Sequence, residues 1–472
     1  MRAPWGNDRL ERVLVYGLGL SGRAAAKLLL ARDVSVVAVD ARSEDKLDLS
    51  GLEPSAKSKL EVMAGGEPEA LPSGRIDAVV VSPGVPMDRP LLEDARSKGV
   101  PVIAEVELAY PMVQGPIVAI TGSNGKSTTT ALTGAMVRAA GIPVEVCGNI
   151  GVPLIGLVDG APGRVFVVEL SSFQIEGIVS FKPRAAALLN ISEDHLDRYG
   201  TLDAYVAAKK RLFRDMDPEG IAVLNADDPE AADAETQARK RWFSRRGPVS
   251  DGCWATPDGR VLEVSPGEPG EPGEPGIELF HADDVPLAGV QNLENAMAAA
   301  LLARAIGAEP REIRRGLQGF QGLPHRMQRI GERNGVVFYD DSKGTNPGAV
   351  LKSLEGFADG TVHLILGGRN KDADLAVLTP LVARKACRVY LIGESAGEFA
   401  AALGDAVPQE RSETIDRAVH SAAGQARPGE SVVLSPACAS FDQFRNFVHR
   451  GEVFQSLVRE ILGEPDGEEA RG

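Results

Sequence analysis

Ile120-Thr121-Gly122-Ser123-Asn124-Gly125-Lys126-Ser127-Thr128 follows the apolar run Pro116–Thr121 and leads into the helical stretch Ala131–Ala140. A strand that breaks into a glycine turn and continues as a helix leaves successive amides pointing at one spot. Such amides cradle phosphate oxygens, the lysine reaches terminal phosphates, and the following hydroxyl suits a hard divalent cation. The common form of this loop has four residues between its glycines, whereas only Ser123 and Asn124 separate Gly122 from Gly125. The stretch therefore predicts a shortened phosphate loop made of Gly122, Ser123, Asn124, Gly125, Lys126, Ser127 and Thr128.

A second glycine turn lies upstream. Gly17-Leu18-Gly19-Leu20-Ser21-Gly22 follows the run Arg12–Tyr16 and opens a helix, and Asp40 closes the next run, Ser35–Asp40. Alone, this reads as a nicotinamide-dinucleotide fingerprint, yet the same geometry accepts any nucleotide diphosphate. An oxidoreductase would leave the loop around Lys126 without a task. Further short apolar runs are Ala78–Ser82, Val165–Leu170, Ala185–Asn190, Ile221–Asn225, Val336–Asp340, His363–Leu366, Arg388–Ile392 and Ser431–Leu434. Longer Ala/Leu-rich amphipathic stretches alternate with them, which predicts an α/β chain built on parallel sheets. Boundaries near Ala104 and Gly322-Leu323-Pro324 divide it into 1–104, 105–322 and 323–472. The Gly-Glu-Pro repeats of Gly267–Gly276 read as an extended surface loop, and the charged end Glu464–Gly472 as a frayed tail.

The chain has 472 residues, enough for about three domains at ~150 residues each. Its net charge of −15 argues against a nucleic-acid or membrane-surface binder, so anionic ligands must be met by local cations or amides. Cys147, Cys253, Cys387 and Cys438 lack paired spacing, which fits a reducing compartment. No apolar stretch is long enough to span a bilayer and the N-terminus has no leader pattern, so a soluble cytoplasmic protein is expected; a monomer is expected as well.

Polar clusters follow the apolar runs, where open α/β sheets bind ligands. Glu169-Leu170-Ser171-Ser172-Phe173-Gln174 offers a hard oxygen ligand in Glu169. Asn190 to Arg198 includes Glu193-Asp194-His195, and a helix from about Leu202 carries Lys209-Lys210. On pattern alone, His195 reads as a polar filler and Lys209 as a solvated helix face. The last third has Leu323-Pro324-His325-Arg326, Asp340-Asp341-Ser342-Lys343-Gly344-Thr345-Asn346, Gly367-Gly368-Arg369-Asn370-Lys371 and Ser435-Pro436-Ala437-Cys438-Ala439-Ser440-Phe441-Asp442. There Arg326, Lys343 and Lys371 supply the local positive charge that an acidic protein needs for phosphates and a carboxylate.

Taken together, the shortened loop, the Glu169 and His195 segments, Asn225-Ala226-Asp227-Asp228 and these last clusters resemble the Mur ligase family. The likeness runs from Gly17 to about Phe454. Within the family, the last clusters are most similar to the ligase that adds D-glutamate to UDP-N-acetylmuramoyl-L-alanine. The Asp-Asn-Pro-Arg signature of the ligase adding the third residue is absent. Other acid–amino-acid ligases of the family, including a folate-polyglutamate type, are the alternative, although that type should lack the Gly17–Asp40 unit.

The resemblance implies an N-terminal Rossmann-like domain for the uridine nucleotide, a central ATPase on a parallel or mixed sheet, and a C-terminal Rossmann-like domain. It implies that Leu20, Ser21 and Arg42 contact the UDP moiety, and that Asn149 and Ser171 contact the muramoyl-alanine part. ATP would meet the loop 122–128 together with Asn295, Arg326 and Asp341. Lys343, Thr345, Lys371, Ser440 and Phe441 would hold D-glutamate. Magnesium would be bound through Ser127, Glu169, His195 and a carbamylated Lys209, and the catalytic group would be Lys126, His195, Lys209 and Lys343. The partners implied are these small molecules, with no nucleic acid and no membrane. One departure is Gln291, where the family usually has a histidine.

Overall fold

The computed structural model describes residues 9–192, 194–265, 276–287, 290–320, 322–370 and 373–463. Three sheets of five, nine and six strands carry it. The chain separates into two compact units, Met1–Val285 with Gln291–Phe320, and Pro286–Val290 with Gln321–Gly472. The first unit holds two of the sheets.

The N-terminal sheet consists of β1 (Arg12–Tyr16), β2 (Ser35–Asp40), β3 (Leu60–Ala64), β4 (Ala78–Val81) and β5 (Val102–Ala104). All its pairings are parallel, in the order β3-β2-β1-β4-β5. β1 lies in the middle because Val13, Leu14 and Val15 are fully buried on both faces.

The second sheet contains β6 (Ile117–Thr121), β7 (Val144–Gly148), β8 (Val165–Glu169), β9 (Ala185–Leu188), β10 (Ile221–Asn225), β11 (Arg239–Ser244), β12 (Gly252–Ala255), β13 (Arg260–Val264) and β14 (Ile277–His281). Its order is β14-β13-β12-β11-β10-β9-β6-β8-β7, with only β12, β13 and β14 pairing antiparallel. One apolar core runs continuously from the first sheet into the second, through Ala104, Val106, Ile117, Leu154 and Phe166. The stretch Gly267–Gly276 lies outside the described residues except for Gly276.

The second unit carries β15 (Gln328–Arg333), β16 (Val336–Asp340), β17 (Val362–Gly367), β18 (Ala386–Ile392), β19 (Gln409–Glu413) and β20 (Ser431–Leu434) in the order β15-β16-β20-β17-β18-β19. Only β15 runs antiparallel to its neighbour. Separate apolar clusters fill its two faces, one around Leu364, Leu366 and Val389, the other around Ile365, Val432 and Phe454.

Several expected strands shorten by one or two residues. The runs expected to end at Leu170 and Asn190 stop at Glu169 and Leu188, although the buried Leu170 and Leu189 that follow still donate to Ile120 O and Thr121 O. β3, β5, β7, β14, β15 and β19 were not expected from the sequence, and they are the edges of the three sheets. β11, β12 and β13 are internal and also unexpected; in β11, Arg241 is buried but paired with Asp251 and Glu263 at 3.0 and 2.8 Å. Among the described residues, no helix is long and apolar enough to cross a membrane.

Candidate active site

The first glycine turn sits where β1 passes into the helix Leu20–Ala31. Gly17 has φ +87°, and a Cβ there would lie 2.9 Å from that of Ser82. A Cβ on Gly22 would approach the Gly17 carbonyl to 1.8 Å, so both positions require glycine, whereas Gly19 faces open space. The helix has no side-chain N-cap, leaving its first amides directed at the opening. That opening is a cleft of about 450 Å³, lined by Leu20, Ser21 and Ser82 on one side and by Asn149, Pro153 and Gln174 from the central region. Asp40 closes its floor, accepting from Leu18 N at 2.7 Å and from Arg42 Nε and Nη2 at 2.9 and 2.8 Å. The Arg42 hydrogen bonds hold its carboxyl down to about 2. Of the expected nucleotide contacts, Leu20 and Ser21 line this cleft, as does Asn149, expected at the muramoyl-alanine part, while Arg42 pairs with Asp40 and is not among the lining residues.

The second glycine turn leaves β6 for the helix Lys126–Ala139, again without a side-chain cap. Asn190, just past β9, braces it: Ser123 N donates to Asn190 O and Asn124 N to Asn190 Oδ1, both at 2.9 Å. Gly125, at φ +82°, packs so closely on Asn295 that a Cβ would fall 2.2 Å from Oδ1. Asn295 is thereby seated against the loop by the helix Val290–Ala305, and it also accepts from Thr129 Oγ1 at 3.2 Å.

Two lysines converge on one carbonyl. Lys126 Nζ and Lys209 Nζ each donate to Gly122 O at 2.9 Å. Lys209 is only 1% exposed, with its ammonium 4.6 Å from the centre of the Tyr205 ring. The solvated-face reading of Lys209 is therefore corrected. Along the helix Leu202–Arg214 the buried positions are Tyr205, Val206, Lys209, Leu212 and Phe213, and Lys209 lies on that inward stripe. Burial, and then the Lys126 charge, push its pKa well below the ordinary lysine value, a shift that favours the neutral amine.

Glu169 ends β8 at 2% exposure. Its Oε1 accepts from Asn149 Nδ2 at 2.8 Å, and its buried Oε2 has no protein partner. A buried carboxylate oxygen left without a donor costs desolvation unless a cation meets it. Hard oxygen from Glu169 and from the Ser127 hydroxyl is the donor set magnesium prefers, so these residues fit that ion. Ser171 caps the short helix Ser172–Glu176 in a reciprocal box with Gln174. His195, at φ +54°, is exposed, with its ring 4.8 Å from that of Phe173.

The second unit presents its own cluster at the C-terminal ends of β16, β17 and β20. Buried Asp340 accepts from Gln455 Nε2 at 2.8 Å and meets His325 Nδ1 at 2.7 Å. Asp341 accepts from Ser353 Oγ and Ser435 Oγ, both at 2.6 Å, and burial pushes its carboxyl up to about 6. Lys343 Nζ stands 5.4 Å from the Phe447 ring, Ser440 is buried, and Phe441 is 63% exposed. Lys371 lies outside the described residues. Sequence reasoning missed Arg450, fully buried, which donates to Ser342 Oγ, Ser342 O and Cys438 O at 2.9–3.1 Å. A signal was present in the neighbouring Gly451, where a Cβ would strike His325 Nδ1 at 2.1 Å.

Three family profiles match consecutive parts of the chain: "Mur ligase MurD-like, N-terminal domain" at residues 11–104, "Mur ligase middle domain" at 120–303, and "Mur ligase, glutamate ligase domain" at 325–438. UDP-N-acetylmuramoylalanine–D-glutamate ligase of Acidobacterium capsulatum is 43% identical over 95% of this chain and 96% of its own length. The enzymes of that name from Solibacter usitatus and Anaeromyxobacter dehalogenans are 42% and 43% identical over the same share of this chain and 97% of theirs. The chain belongs to the Mur ligase family. Solved structures agree on the fold of this Mur ligase. The UDP-N-acetylmuramate–alanine ligase of Thermotoga maritima superposes with a TM-score of 0.57 at 16% identity, covering 96% of this chain and all of that one. The D-alanyl-D-alanyl-adding ligase of Acinetobacter baumannii gives 0.54 at 19% identity, covering 82% and 85%.

Proposed function

We propose that this Mur ligase is a monomeric cytoplasmic enzyme that uses ATP to join D-glutamate to the alanyl carboxylate of UDP-N-acetylmuramoyl-L-alanine, a step in peptidoglycan precursor synthesis. Its working parts divide at 1–104 for the nucleotide, 105–322 for ATP and 323–472 for the amino acid. One observation carries the chemistry: two lysine amines share the Gly122 carbonyl in the same loop region as a buried carboxylate oxygen that lacks a partner. The choice of acceptor and amino acid rests on the shared name of relatives that match nearly end to end.

A carboxylate resists an amine because it is anionic and lacks a leaving group. Its oxygen first attacks the γ-phosphorus of ATP, the bond to ADP breaks, and an acyl phosphate forms. The glutamate amine then adds to the carbonyl carbon, the tetrahedral intermediate expels phosphate, and the amine proton passes to solvent. The uncapped amides of Leu20–Ala31 hold the diphosphate of the uridine nucleotide, and Asn149 and Ser171 hold its muramoyl-alanine end. Lys126 exchanges the carbonyls of Gly122 and Ser123 for phosphoryl oxygens and neutralises their charge. Ser127, Glu169 and His195 would hold magnesium, which would supply charge shielding for the phosphates and polarise the transferred group. Asn295, Arg326 and Asp341 bind ATP, and Lys343, Thr345, Lys371, Ser440 and Phe441 hold D-glutamate.

Lys209 completes the group as a carbamate. A neutral Nζ attacks carbon dioxide, the new N–C bond forms as one C=O electron pair moves onto oxygen, and a proton leaves Nζ for solvent. The product is an anion beside Lys126, which reverses the repulsion that lowers the amine's pKa.

The deciding experiment measures phosphate release from ATP with magnesium and UDP-N-acetylmuramoyl-L-alanine, comparing D- and L-glutamate, with mass spectrometry of the product. Release that requires the D-isomer and yields the D-glutamyl adduct is expected. Release with L-glutamate alone, or with neither isomer, overturns the assignment of the amino acid.

A further inference from the structure

A group of unlike ligands lies in the second unit at the opposite end of the strands from Asp341 and Ser435. His363 is the second residue of β17, Cys387 the second of β18, and Glu430 immediately precedes β20. The strands are adjacent in the order β20-β17-β18, so the three residues form one row across the sheet. One ligand atom from each, a ring nitrogen, the thiol sulfur and a carboxylate oxygen, lies within 4.8 Å of the other two.

Two features of the backbone and packing build this row. Strict alternation along β18 would put Cys387 with Val389 and Leu391, whose side chains pack on the other face from Tyr390. The register shifts there, with Val362 opposite Ala386 and His363 opposite Arg388, so Cys387 is an extra, bulged residue. A bulge re-aims a side chain, and here it brings Sγ towards the imidazole. The ring of His363 is also clamped: Nδ1 contacts Tyr390 Oη at 2.9 Å, and the two rings stack with centroids 5.9 Å apart. Without an ion, Nε2–H donates to Glu430 Oε2 at 2.9 Å; with Nδ1–H donated to Tyr390 Oη, loss of the Nε2 proton turns that nitrogen's lone pair to a cation between them. A partner that fixes one ring nitrogen and presents the other is the usual support of a metal-bound histidine.

We propose that His363 Nε2, Cys387 Sγ and Glu430 form a site for a soft or borderline divalent cation of the zinc type, distinct from the magnesium site. Zinc at ~2.0–2.3 Å from mixed N, S and O ligands holds them about 3.5 Å apart in a tetrahedron, with water as the fourth ligand. The histidine–carboxylate contact opens by about half an ångström and the thiol moves inward. Binding expels the thiol proton and the Nε2 proton to solvent. His363 is almost fully buried, whereas Cys387 and Glu430 are partly exposed and give the ion its way in. Thiolate and imidazole select against magnesium, so the ion that serves ATP does not compete here.

Cobalt(II) tests this directly, because thiolate ligation adds a near-ultraviolet charge-transfer band that oxygen and nitrogen ligands do not produce. Metal-free full-length protein titrated with cobalt should develop that band with one equivalent at micromolar concentration. The band should persist in excess magnesium and collapse when zinc is added. Cys387→Ser should abolish it, Cys253→Ala should retain it, and Glu430→Gln, at a partly exposed position, should weaken cobalt binding about ten-fold or more. Absence of the band in the wild-type chain overturns the proposal and leaves His363 and Glu430 as an ordinary ion pair. A band that needs millimolar cobalt, or that survives Cys387→Ser, overturns it equally.

Discussion

The two glycine turns, Gly17–Gly22 and Gly122–Gly125, use the same backbone device and differ in the charge set behind it. Each follows a buried strand, each opens a helix without a side-chain cap, and each needs glycine at a positive φ. Behind the first is Asp40, a carboxylate stabilised by Arg42 and by the Leu18 amide. Behind the second are Lys126 and Lys209, two amines sharing one carbonyl, with Glu169 close enough to act on Lys209. The first turn is electrostatically at rest, suited to hold a diphosphate without reacting with it. The second gathers two amines on one carbonyl with a carboxylate acting on one of them, the kind of charge set a site for phosphoryl transfer uses.

The sharpest way to break this comparison is to remove charge from the second turn. Lys126→Ala and Glu169→Ala should each lower kcat by about 10³-fold or more while leaving the fold intact by circular dichroism. Lys209→Ala should lose activity to a similar degree, and a short-chain carboxylate should restore part of it. Failure of rescue in a well-folded variant would count against the carbamate. A loss no greater than that of an Arg42→Ala variant would erase the distinction between the two turns.

Glycine substitutions probe what the turns share. Gly22→Ala forces a Cβ to 1.8 Å from the Gly17 carbonyl, and should raise the KM for the uridine nucleotide by more than ten-fold and destabilise the chain by several kcal/mol. Gly19→Ala meets open space and should alter stability by less than ~0.5 kcal/mol. Any loss from it should appear in nucleotide binding, measured by calorimetric titration. Equal destabilisation by both variants would mean that the close approach at Gly22 is not what fixes the turn.

Opposite carboxylates predict opposite pH responses. Asp40, held down to about 2, contributes stability that is present above pH 4 and lost as the pH falls through 2. Asp341, raised to about 6 by burial, is favoured in its protonated form. Its contribution is present below pH 4 and lost as the pH rises through 6, with a swing of about 2–3 kcal/mol. Asp341→Asn should therefore raise the melting temperature at pH 8 by roughly 5 °C, with the gain closing towards pH 4, even as ATP-dependent activity falls. Asp40→Asn should lower it at pH 8 by a smaller amount, and that loss should vanish towards pH 2. Calorimetric melts across that range would read both signs.

The buried centres of the sheets were readable because β1, β6, β8, β10 and β20 are short apolar runs. Their edges were not: β15 reads Gln-Arg-Ile-Gly-Glu-Arg and β19 reads Gln-Glu-Arg-Ser-Glu, polar sequences that pair on one side only. A strand in contact with solvent keeps charges that blunt its open edge and obscure its period. At the site, glycine spacing exposed both turns, since the backbone itself demands those residues. Lys209 escaped reading by residue type, yet its spacing from Tyr205 and Leu212 is that of one helix face. Arg450 escaped because Ser342 lies 108 residues away and Cys438 meets it only through its backbone carbonyl, contacts assembled by the fold.

The smallest expected effect isolates that last lesson on a single dipeptide. Lys209 and Lys210 are identical side chains one residue apart, and the helix turns them to different surroundings. Lys210 pairs with Glu230 at 3.1 Å, and its partner is half exposed to solvent. An ion pair of this kind contributes about 0.2–1 kcal/mol and fades with salt. Lys210→Ala should accordingly leave kcat within about two-fold of wild type and shift the melting temperature by no more than ~2 °C. Added carboxylate should not change its rate. A large loss at Lys210 with little at Lys209 would mean that the inward stripe through Tyr205, Lys209 and Leu212 does not decide which amine serves the site.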